Sequence, residues 1–229
     1  MKPEKIGIIG ALRAETEGLC AALQNAAFET VSGMRVGQGT LEGKEVAVVT
    51  CGVGKVFAAM AAEALILRYG VTALLNTGVA GGLAPGLSVG DAVVADAVVQ
   101  HDMNTTALGD PQGLISGVGL VRIPTDKRLS DALFRAAEAE GIHTLTGVVA
   151  SGDLFVAGEQ AKEVIRRRFA AAACEMEGAA IGQVAHVNGV PFAVLRTISD
   201  GGDGMEFDRF VGLAAARSVA VTHRFLKLL

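Results

Sequence analysis

Short runs of β-branched residues alternate along this chain of 229 residues with amphipathic stretches of helical length. Strands separated by helices of about ten to fifteen residues favour parallel βαβ units, with helices on both faces of the sheet. The predicted strands are Ile6–Ile9, Met34–Thr40, Glu45–Thr50, Ala73–Asn76, Asp91–Val99, Leu145–Ala150, Ala172–Cys174 and Phe192–Ile198. The predicted helices are Arg13–Leu23, Lys55–Tyr69, Asp126–Glu140, Glu159–Phe169, Gly178–Asn188 and Phe207–Leu229.

Glycines mark several boundaries in this pattern. Gly70, Gly141 and Gly189 each stand just beyond a predicted helix, where a left-handed cap is favoured. The turn at Glu42-Gly43-Lys44 predicts one hairpin within the otherwise alternating order. The segment His101–Pro124 lacks periodicity, and loops of that length are usually functional or lie at an interface. We find no linker or repeat and therefore expect a single domain over residues 1–229.

Composition excludes several classes of protein. The net charge of −4 offers no basic surface for nucleic acid. Apolar residues make up 51% of the chain, but no uninterrupted apolar run reaches the length of about eighteen residues that spanning a membrane requires. The three cysteines, Cys20, Cys51 and Cys174, have no motif spacing and suit a reducing compartment. We expect a cytoplasmic protein that partners neither nucleic acid nor membrane.

Acidic residues follow several predicted strands. Glu15, Asp102, Glu177 and Asp200 all occupy such positions, as does the glycine-rich segment Gly78–Gly82. Ligands of open α/β sheets bind outside the carboxyl ends of the strands. Any one of these acids is as readily an ordinary loop residue. Their shared placement predicts one site.

Common cofactor and metal motifs are missing. The segment from Asn76 to Gly82 lacks the spacing of a dinucleotide-binding loop. Gly52-Val53-Gly54-Lys55 resembles the end of a phosphate loop, but Val56 stands where a metal-binding Ser or Thr belongs. The four histidines show no ligand spacing, so we expect no metal.

Taken in order, the motifs of this chain resemble the nucleoside phosphorylase and nucleosidase superfamily, and within it the 5′-methylthioadenosine/S-adenosylhomocysteine nucleosidases. The resemblance rests on Gly7-Ile8-Ile9-Gly10-Ala11 with Glu15, Gly52-Val53-Gly54-Lys55, Asn76–Leu83, Val89-Gly90-Asp91, His101-Asp102, Ser151-Gly152-Asp153, Glu175-Met176-Glu177 and Arg196–Asp200. It implies an α/β three-layer sandwich of the nucleoside phosphorylase type, with a mixed, twisted sheet between helices.

The resemblance also implies a role for each site residue. Glu15 is expected to activate water as a general base, and Asp200 to donate a proton to purine N7. Glu177 is expected to hold the ribose hydroxyls. The remaining residues are expected to shape the pocket. Met176 packs against the sugar, Phe155 stacks on adenine, and Val156 binds the edge of the base through its backbone. Gly81 lies in the substrate loop, Ser199 and Arg196 orient Asp200 and Glu177 or the water, and Phe207 covers the alkylthio end.

The implied reaction is hydrolysis of 5′-methylthioadenosine and S-adenosylhomocysteine to adenine and a thioribose product, with 5′-deoxyadenosine as a further candidate substrate. Departure of the purine leaves positive charge on the sugar and negative charge on the base. An acid at N7 and carboxylates near the ribose stabilise these charges. Phosphorolysis needs cationic residues to bind phosphate. A carboxylate at Glu15 repels the phosphate dianion and favours neutral water as the nucleophile, so hydrolysis is expected. No cofactor or metal is implied, and the partner is a second copy in a homodimer.

Some positions depart from the family pattern. Val79 stands where many members carry Ser, and Leu12 replaces a commoner Met. Leu108, in the loop expected to reach the neighbouring subunit's pocket, replaces an aromatic residue, and the segment Gly201–Glu206 before Phe207 is short. The preference among alkylthio tails therefore stays open. The alternatives are a purine nucleoside phosphorylase, a hydrolase of 6-amino-6-deoxyfutalosine and a non-catalytic nucleoside sensor.

Overall fold

In the computed structural model, which describes residues 3–201 and 204–229, ten strands form one mixed sheet. Gly202 and Asp203, which belong to the short segment before Phe207, lie outside the described residues. The strands are β1 (Lys5–Gly10), β2 (Gln24–Val31), β3 (Met34–Leu41), β4 (Lys44–Thr50), β5 (Ala73–Gly82), β6 (Ala92–Gln100), β7 (Ile123–Pro124), β8 (Thr144–Ser151), β9 (Ala171–Glu175) and β10 (Phe192–Asp200). The helices are α1 (Arg13–Ala21), α2 (Lys55–Tyr69), α3 (Lys127–Ala139), α4 (Glu159–Phe169), α5 (Gly178–Val187) and α6 (Gly204–Leu228).

Strand β5 organises the sheet. It pairs in parallel with β1 and β10, and its last residues pair antiparallel with β9. Strands β10, β6, β8, β9 and β5 follow one another as neighbours, and β10 pairs back onto β5, so these five strands close into a ring. The strands β1, β4, β3 and β2 extend outward from β5. The ring brings the ends of β5, β9 and β10 together.

Helices cover both faces of the sheet, as predicted. On one face α2 and α5 pack against each other over a core that includes Leu65 and Ile181. On the opposite face α6 packs against α1 and α3, and Leu19, Leu133 and Phe225 are fully buried there. Helix α4 covers β8 and β9. Burial of these apolar faces against the sheet is the main force that stabilises the layers.

Most boundaries agree with the sequence prediction. Gly70, Gly141 and Gly189 have φ values of 63°, 70° and 66°, which are the left-handed conformations expected beyond helix ends. Glu42 and Gly43 form the predicted hairpin turn between β3 and β4. The segment between β6 and β7 contains a 3₁₀ turn at Thr106–Leu108 and an isolated antiparallel bridge between Ile115 and Leu120, and the rest of it is irregular, as expected.

Strands β2 and β7 were not predicted, and β5 was predicted too short. Strand β2 was missed because it lies at the edge of the sheet, where its mostly exposed side chains show no alternation. The glycine-rich segment from Thr77 to Gly82 was taken for a loop, but it continues β5. It remains extended because β10 and β9 supply hydrogen-bonding partners on both sides, which a local reading of glycines does not reveal.

Helix ends were also placed inaccurately. Helix α1 ends at Ala21 rather than Leu23, and α6 begins at Gly204 rather than Phe207. Fraying and weak caps make such ends the least predictable part of a helix. Among the described residues, no helix has both the length and the apolar character needed to cross a membrane.

The cap of α3 provides a test of the fold. The Asp126 side chain accepts hydrogen bonds from the Arg128 and Leu129 amides, each 3.0 Å long. Asp126→Ala removes this cap, and we expect the free energy of unfolding to fall by about 1 kcal/mol. Asp126→Asn keeps an acceptor oxygen and should stay close to the wild type. Urea unfolding followed by circular dichroism measures both variants; equal losses in the two would contradict the capping role.

Candidate active site

The carboxyl ends of β5, β9 and β10 border a cavity of about 310 Å³. This size falls at the lower end of the range for small-molecule pockets. Four acidic residues line it together with apolar and small residues, and no Lys, Arg or His is among the described residues of its wall. The lining residues are Ala11, Leu12, Glu15, Val53, Val79, Ala80, Gly81, Leu154, Phe155, Val156, Cys174, Glu175, Met176, Glu177, Ser199, Asp200 and Phe207.

Glu15 lies in the first turn of α1, and only 1% of the residue is exposed. One carboxylate oxygen accepts hydrogen bonds from the amides of Ala11 and Leu12, at 2.7 and 2.8 Å. The other oxygen accepts from the Val79 amide of β5 at 2.9 Å. Burial raises the pKa of Glu15 above its ordinary value, while Arg196 and these amides oppose the shift. The result is a fixed carboxyl group with increased basicity.

Gly78 makes room for this arrangement. A Cβ atom there would lie 2.5 Å from both Oε1 of Glu15 and Nη1 of Arg196, too close for either to stay in place. Gly78 of β5 pairs in register with Arg196 of β10. The Arg196 guanidinium therefore passes over β5 at Gly78, which has no side chain to block it. The two charged groups can approach each other only because residue 78 is glycine.

Arg196 is 1% exposed and does not line the cavity, and it contacts other protein groups behind the wall. Its expected role in orienting Asp200 and Glu177 or the water stays a prediction. Its Nη2 donates to Glu175 and to the Asn76 side chain. The same nitrogen lies 3.5 Å from Oε2 of Glu177. Arg196 therefore provides the positive charge that compensates the buried acids from behind the cavity wall.

Glu175 has all its acceptor positions engaged. It accepts from Arg196, from the Ser151 hydroxyl and from the amides of Glu177 and Gly178 at the start of α5. The Ala179 amide in turn donates to the Ser151 hydroxyl at 2.7 Å. A carboxylate at a helix N-terminus is favoured by the helix dipole. Glu175 orients the α5 terminus and thereby the next acid, Glu177.

Glu177 has a less saturated environment. Its Oε1 accepts from the Gly54 amide at 2.9 Å, and Gly54 adopts a φ of 106°, a conformation that favours glycine. The segment that resembled a phosphate loop therefore binds a carboxylate of the protein itself. Burial, followed by the neighbouring Glu175, raises the pKa of Glu177 to about 7.

Asp200 ends β10 and is 2% exposed. The Ser199 hydroxyl donates to its Oδ2 at 2.8 Å, which supports the predicted orienting role of Ser199. A Cβ atom at Gly81 would lie 3.3 Å from Oδ1 of Asp200 and equally close to the Cys174 sulfur. Gly81, on β5 rather than in a loop, thus leaves space beside the carboxyl group. Glu15 and Asp200 border the same cavity.

Aromatic and aliphatic side chains form the outer wall. The rings of Phe155 and Phe207 meet edge to face with centroids 5.7 Å apart. Val156 is buried, whereas Phe155 is 45% and Leu154 is 57% exposed. Leu154 and Val53 were missed by the sequence analysis. Both adjoin residues that it had singled out, and this adjacency was the available signal.

Two further predictions concern groups outside the cavity. Leu108 is 82% exposed and does not line the cavity of this single chain, so its contact with a neighbouring pocket stays a prediction. Among the described residues, no group of at least three His, Cys, Asp or Glu side chains is arranged to hold a metal ion.

Comparison with known proteins agrees with this geometry. Residues 5–227 match the family model of the phosphorylase superfamily. The 5′-methylthioadenosine/S-adenosylhomocysteine nucleosidase of Shewanella baltica is 37% identical to this chain over 98% of the chain and 97% of its own length. The fold and the acid-lined cavity therefore define a member of the phosphorylase superfamily.

Solved structures narrow the class. The S-adenosylhomocysteine nucleosidase of Streptococcus pyogenes, in complex with 5-methylthiotubericidin, has a TM-score of 0.95 and 36% identity, covering 100% of this chain and 98% of its own. A futalosine hydrolase of Helicobacter pylori has a TM-score of 0.94 and 34% identity, covering 99% and 98%. The chain belongs to the 5′-methylthioadenosine/S-adenosylhomocysteine nucleosidase family and is an enzyme of that class.

The raised pKa of Glu177 predicts a pH-dependent stability. The pKa rises from an ordinary 4.5 to about 7 on folding, so between these values the native state binds the proton more strongly than the unfolded state. The free energy of unfolding should therefore fall as the pH increases from about 4.5 to about 7. Between pH 5 and 8 the wild type should lose roughly 1–3 kcal/mol more than Glu177→Gln.

Urea unfolding at a series of pH values measures this difference. Glu138→Gln, on the exposed face of α3, is the matched control and should keep the wild-type dependence. If wild type and Glu177→Gln lost stability in parallel, Glu177 would not be a carboxyl group with a raised pKa.

Proposed function

We propose that this chain hydrolyses the N-glycosidic bond of 5′-methylthioadenosine and S-adenosylhomocysteine, releasing adenine and the corresponding thioribose. The observation that carries the proposal is the cavity wall, where four acids and no cationic side chain occur among the described residues. Such a wall repels a phosphate dianion and stabilises a cationic sugar. Relatives named for this reaction, at 37% identity over nearly the whole chain, support the choice of substrates.

Asp200 acts on the base in this proposal. Its carboxyl group donates a proton to purine N7 as the glycosidic bond breaks, which neutralises the negative charge on the departing adenine. The Ser199 hydroxyl donates to Oδ2 of Asp200 and orients the carboxyl group at the wall of the cavity. The backbone of Val156 binds the edge of adenine, and the half-exposed ring of Phe155 stacks on its face.

Glu177 binds the ribose hydroxyls and stabilises positive charge on the sugar. The Gly54 amide engages Oε1, and Oε2, which lies 3.5 Å from Nη2 of Arg196, accepts from a ribose hydroxyl. This contact requires an ionised carboxyl group, and the pKa of about 7 places the ionisation near neutral pH. Met176, which borders the same cavity, packs against the sugar.

Glu15 activates the water that attacks the sugar. A raised pKa makes its carboxylate a stronger base, and the three amides fix the direction of its lone pairs. Arg196 stabilises the ionised form from behind. Val79, which stands where many family members carry Ser, contributes only its backbone amide to Glu15 and leaves the water without a hydroxyl partner at that position.

Apolar residues accept the alkylthio tail. Phe207 covers this end, and Leu12 lines the wall near the ribose. A second candidate substrate is 6-amino-6-deoxyfutalosine, which has the same adenine end and a different tail. The similarity to a futalosine hydrolase, at 34% identity, favours including it. The candidate 5′-deoxyadenosine presents the same base and sugar with a minimal tail.

We further propose a homodimer of single-domain chains, acting in the cytoplasm without cofactor or metal. Support for a dimer comes from α2, whose exposed face carries Val56 at 70% and Phe57 at 47% exposure. Val53, which lines the cavity, and Met60 extend this apolar surface. A second subunit covering it would bring its Leu108 loop toward the cavity.

The dimer is tested by sedimentation. We expect the wild type to sediment as a dimer and Val56→Asp to shift toward the monomer, because a buried unpaired charge disfavours the interface. Val187→Asp, which introduces the same charge at a 68% exposed position on α5, is the control. A wild-type monomer at micromolar concentration would refute the dimer.

The reaction is tested by product analysis. Purified protein incubated with 5′-methylthioadenosine should release free adenine and methylthioribose, at a rate that added phosphate does not increase. A phosphorylase would require phosphate and yield a sugar phosphate. A non-catalytic sensor would leave the substrate intact after prolonged incubation. Either result would overturn the proposal.

The two acids are tested by substitution. Glu15→Gln and Asp200→Asn should each lower kcat by at least about a hundredfold, because each loses proton transfer in the transition state. Glu138→Gln should retain wild-type turnover. Near-normal turnover in Glu15→Gln would show that another group activates the water, and the same result in Asp200→Asn would remove its role at N7.

A further inference from the structure

Three polar residues outside the cavity form a compact cluster, which we call the loop clamp: Lys55, Asp102 and Asp153. The Lys55 ammonium donates to Oδ1 of Asp102 at 2.7 Å and lies 3.9 Å from Oδ2 of Asp153. The Lys55 amide donates to Oδ1 of Asp153 at 2.8 Å, and the Asp153 amide donates to Oδ2 of Asp102 at 2.9 Å. Each member therefore bonds to both of the others.

The loop clamp joins three separate segments of the fold. Lys55 starts α2, Asp102 follows β6, and Asp153 follows β8. Residues 55 and 153 are 98 positions apart in sequence, so their bonds fix a long-range contact. None of the three residues lines the cavity.

On one side the loop clamp adjoins the contact to Glu177. Lys55 directly follows Gly54, whose amide donates to Glu177. A Cβ atom at Gly54 would lie 3.2 Å from Oδ1 of Asp153, so this carboxylate packs against the backbone that binds Glu177. The position of the Gly54 amide thus depends on where Asp153 holds the start of α2.

On the other side it adjoins the wall assigned to the base. Asp153 directly precedes Leu154, Phe155 and Val156, all of which line the cavity. Leu154 and Phe155 are 57% and 45% exposed, so packing holds this segment only partly. The bond from the Asp153 amide to Asp102 anchors the segment at its first residue.

The charges favour a clamp that persists under working conditions. The pKa of Asp102 is lowered, because hydrogen bonds from Lys55 and the Asp153 amide outweigh the opposing effect of burial. Asp102 is thus ionised at neutral pH. The Lys55 side chain is 19% exposed and also donates to Gln100 at 3.3 Å, which limits its freedom.

We propose that Lys55 and Asp102 are positioning residues, which set the Gly54 amide against Glu177 and the Leu154–Val156 segment against the base in one coupled arrangement. This inference rests on the proposed function, which assigns the sugar to Glu177 and the base to that segment. It adds that the Lys55–Asp102 ion pair couples the two binding contacts, although neither of its residues lines the cavity.

Loss of the loop clamp has a distinctive consequence at Glu177. The Gly54 amide stabilises the ionised carboxylate, so a displaced amide raises the pKa of Glu177 further. The other charged or titratable groups that act on Glu177 are Glu175 and Glu15, which raise its pKa, and Arg196, which lowers it. Cys51 adjoins them with a pKa raised to about 12 and stays neutral. Among the described residues, no hydrogen bond or ion pair joins these groups to Lys55, Asp102 or Asp153.

The decisive experiment compares Asp102→Ala and Lys55→Met with the wild type. Each should lower kcat/KM for 5′-methylthioadenosine by roughly tenfold or more, mainly through KM, because misplaced binding groups weaken substrate contacts. The acid limb of the pH profile of kcat/KM should move to higher pH in both variants. Asp102→Asn, which keeps one acceptor oxygen, should recover part of the loss.

Asp131→Asn is the matched control. It breaks an ion pair of the same 2.7 Å length, with Lys127 on the exposed face of α3. It should leave KM and the pH profile unchanged. A double variant of Lys55 and Asp102 should lose less than the sum of the two single losses, since both single variants remove the Lys55–Asp102 ion pair.

Hydrogen exchange separates this inference from the proposed function. The amides of Lys55 and Asp153 should exchange faster in Asp102→Ala than in wild type, and unchanged exchange would overturn the loop clamp whatever the activity. Faster exchange with unaltered KM and pH profile would overturn its positioning role. If the wild type released no adenine, the proposed function would be refuted. The exchange rates would still decide whether the loop clamp exists.

Discussion

The structure depends on one electrostatic constraint: several acidic side chains are buried together, and a single buried arginine must compensate their charge. Glu15, Glu175 and Glu177 all lie within the electrostatic reach of Arg196, which is fully buried itself. Unpaired charges in such surroundings are costly, so backbone amides must complete the neutralisation. The start of α1, the start of α5 and Gly54 supply them. Secondary structure here serves to place amides beside carboxylates.

The closed ring of strands explains why this is possible. Strand β10 pairs with both β5 and β6, so its carboxyl end cannot move away from that of β5. Both Arg196 and Asp200 belong to β10. Arg196 compensates the charge of the buried acids, and Asp200 lines the cavity. A glycine at residue 78 lets the arginine and Glu15 approach across the neighbouring strand. The order of strands thus determines the chemistry at their ends.

The sequence alone predicted the layers, most element boundaries and three acids of the cavity, Glu15, Glu177 and Asp200, because apolar periodicity and strand-end acids are local signals. Asp102, which was predicted to share that site, lies outside the cavity, and Glu175 lines it instead. It could not predict that Thr77–Gly82 continues β5, since the partners that keep it extended are distant in sequence. The side chains of the edge strand β2 are mostly exposed, so its sequence shows no alternation of apolar and polar residues that would predict a strand. Arg196 was expected to orient Asp200 and Glu177 or the water, and only the packing shows that it lies behind the wall and pairs with Glu175 as well.

The cavity has two ends of different character. Its acids are almost completely enclosed, and Glu15, Glu175 and Glu177 accept hydrogen bonds from backbone amides, whereas Leu154 and Phe155 stand at a half-open rim. Mutations at the rim alter shape without uncovering a charge, and mutations among the acids disturb several hydrogen bonds together. Contacts made at the rim are therefore free to change during evolution, while the enclosed acids stay fixed. Inhibitors that gain affinity from the rim should meet resistance sooner than those that rely on the enclosed end.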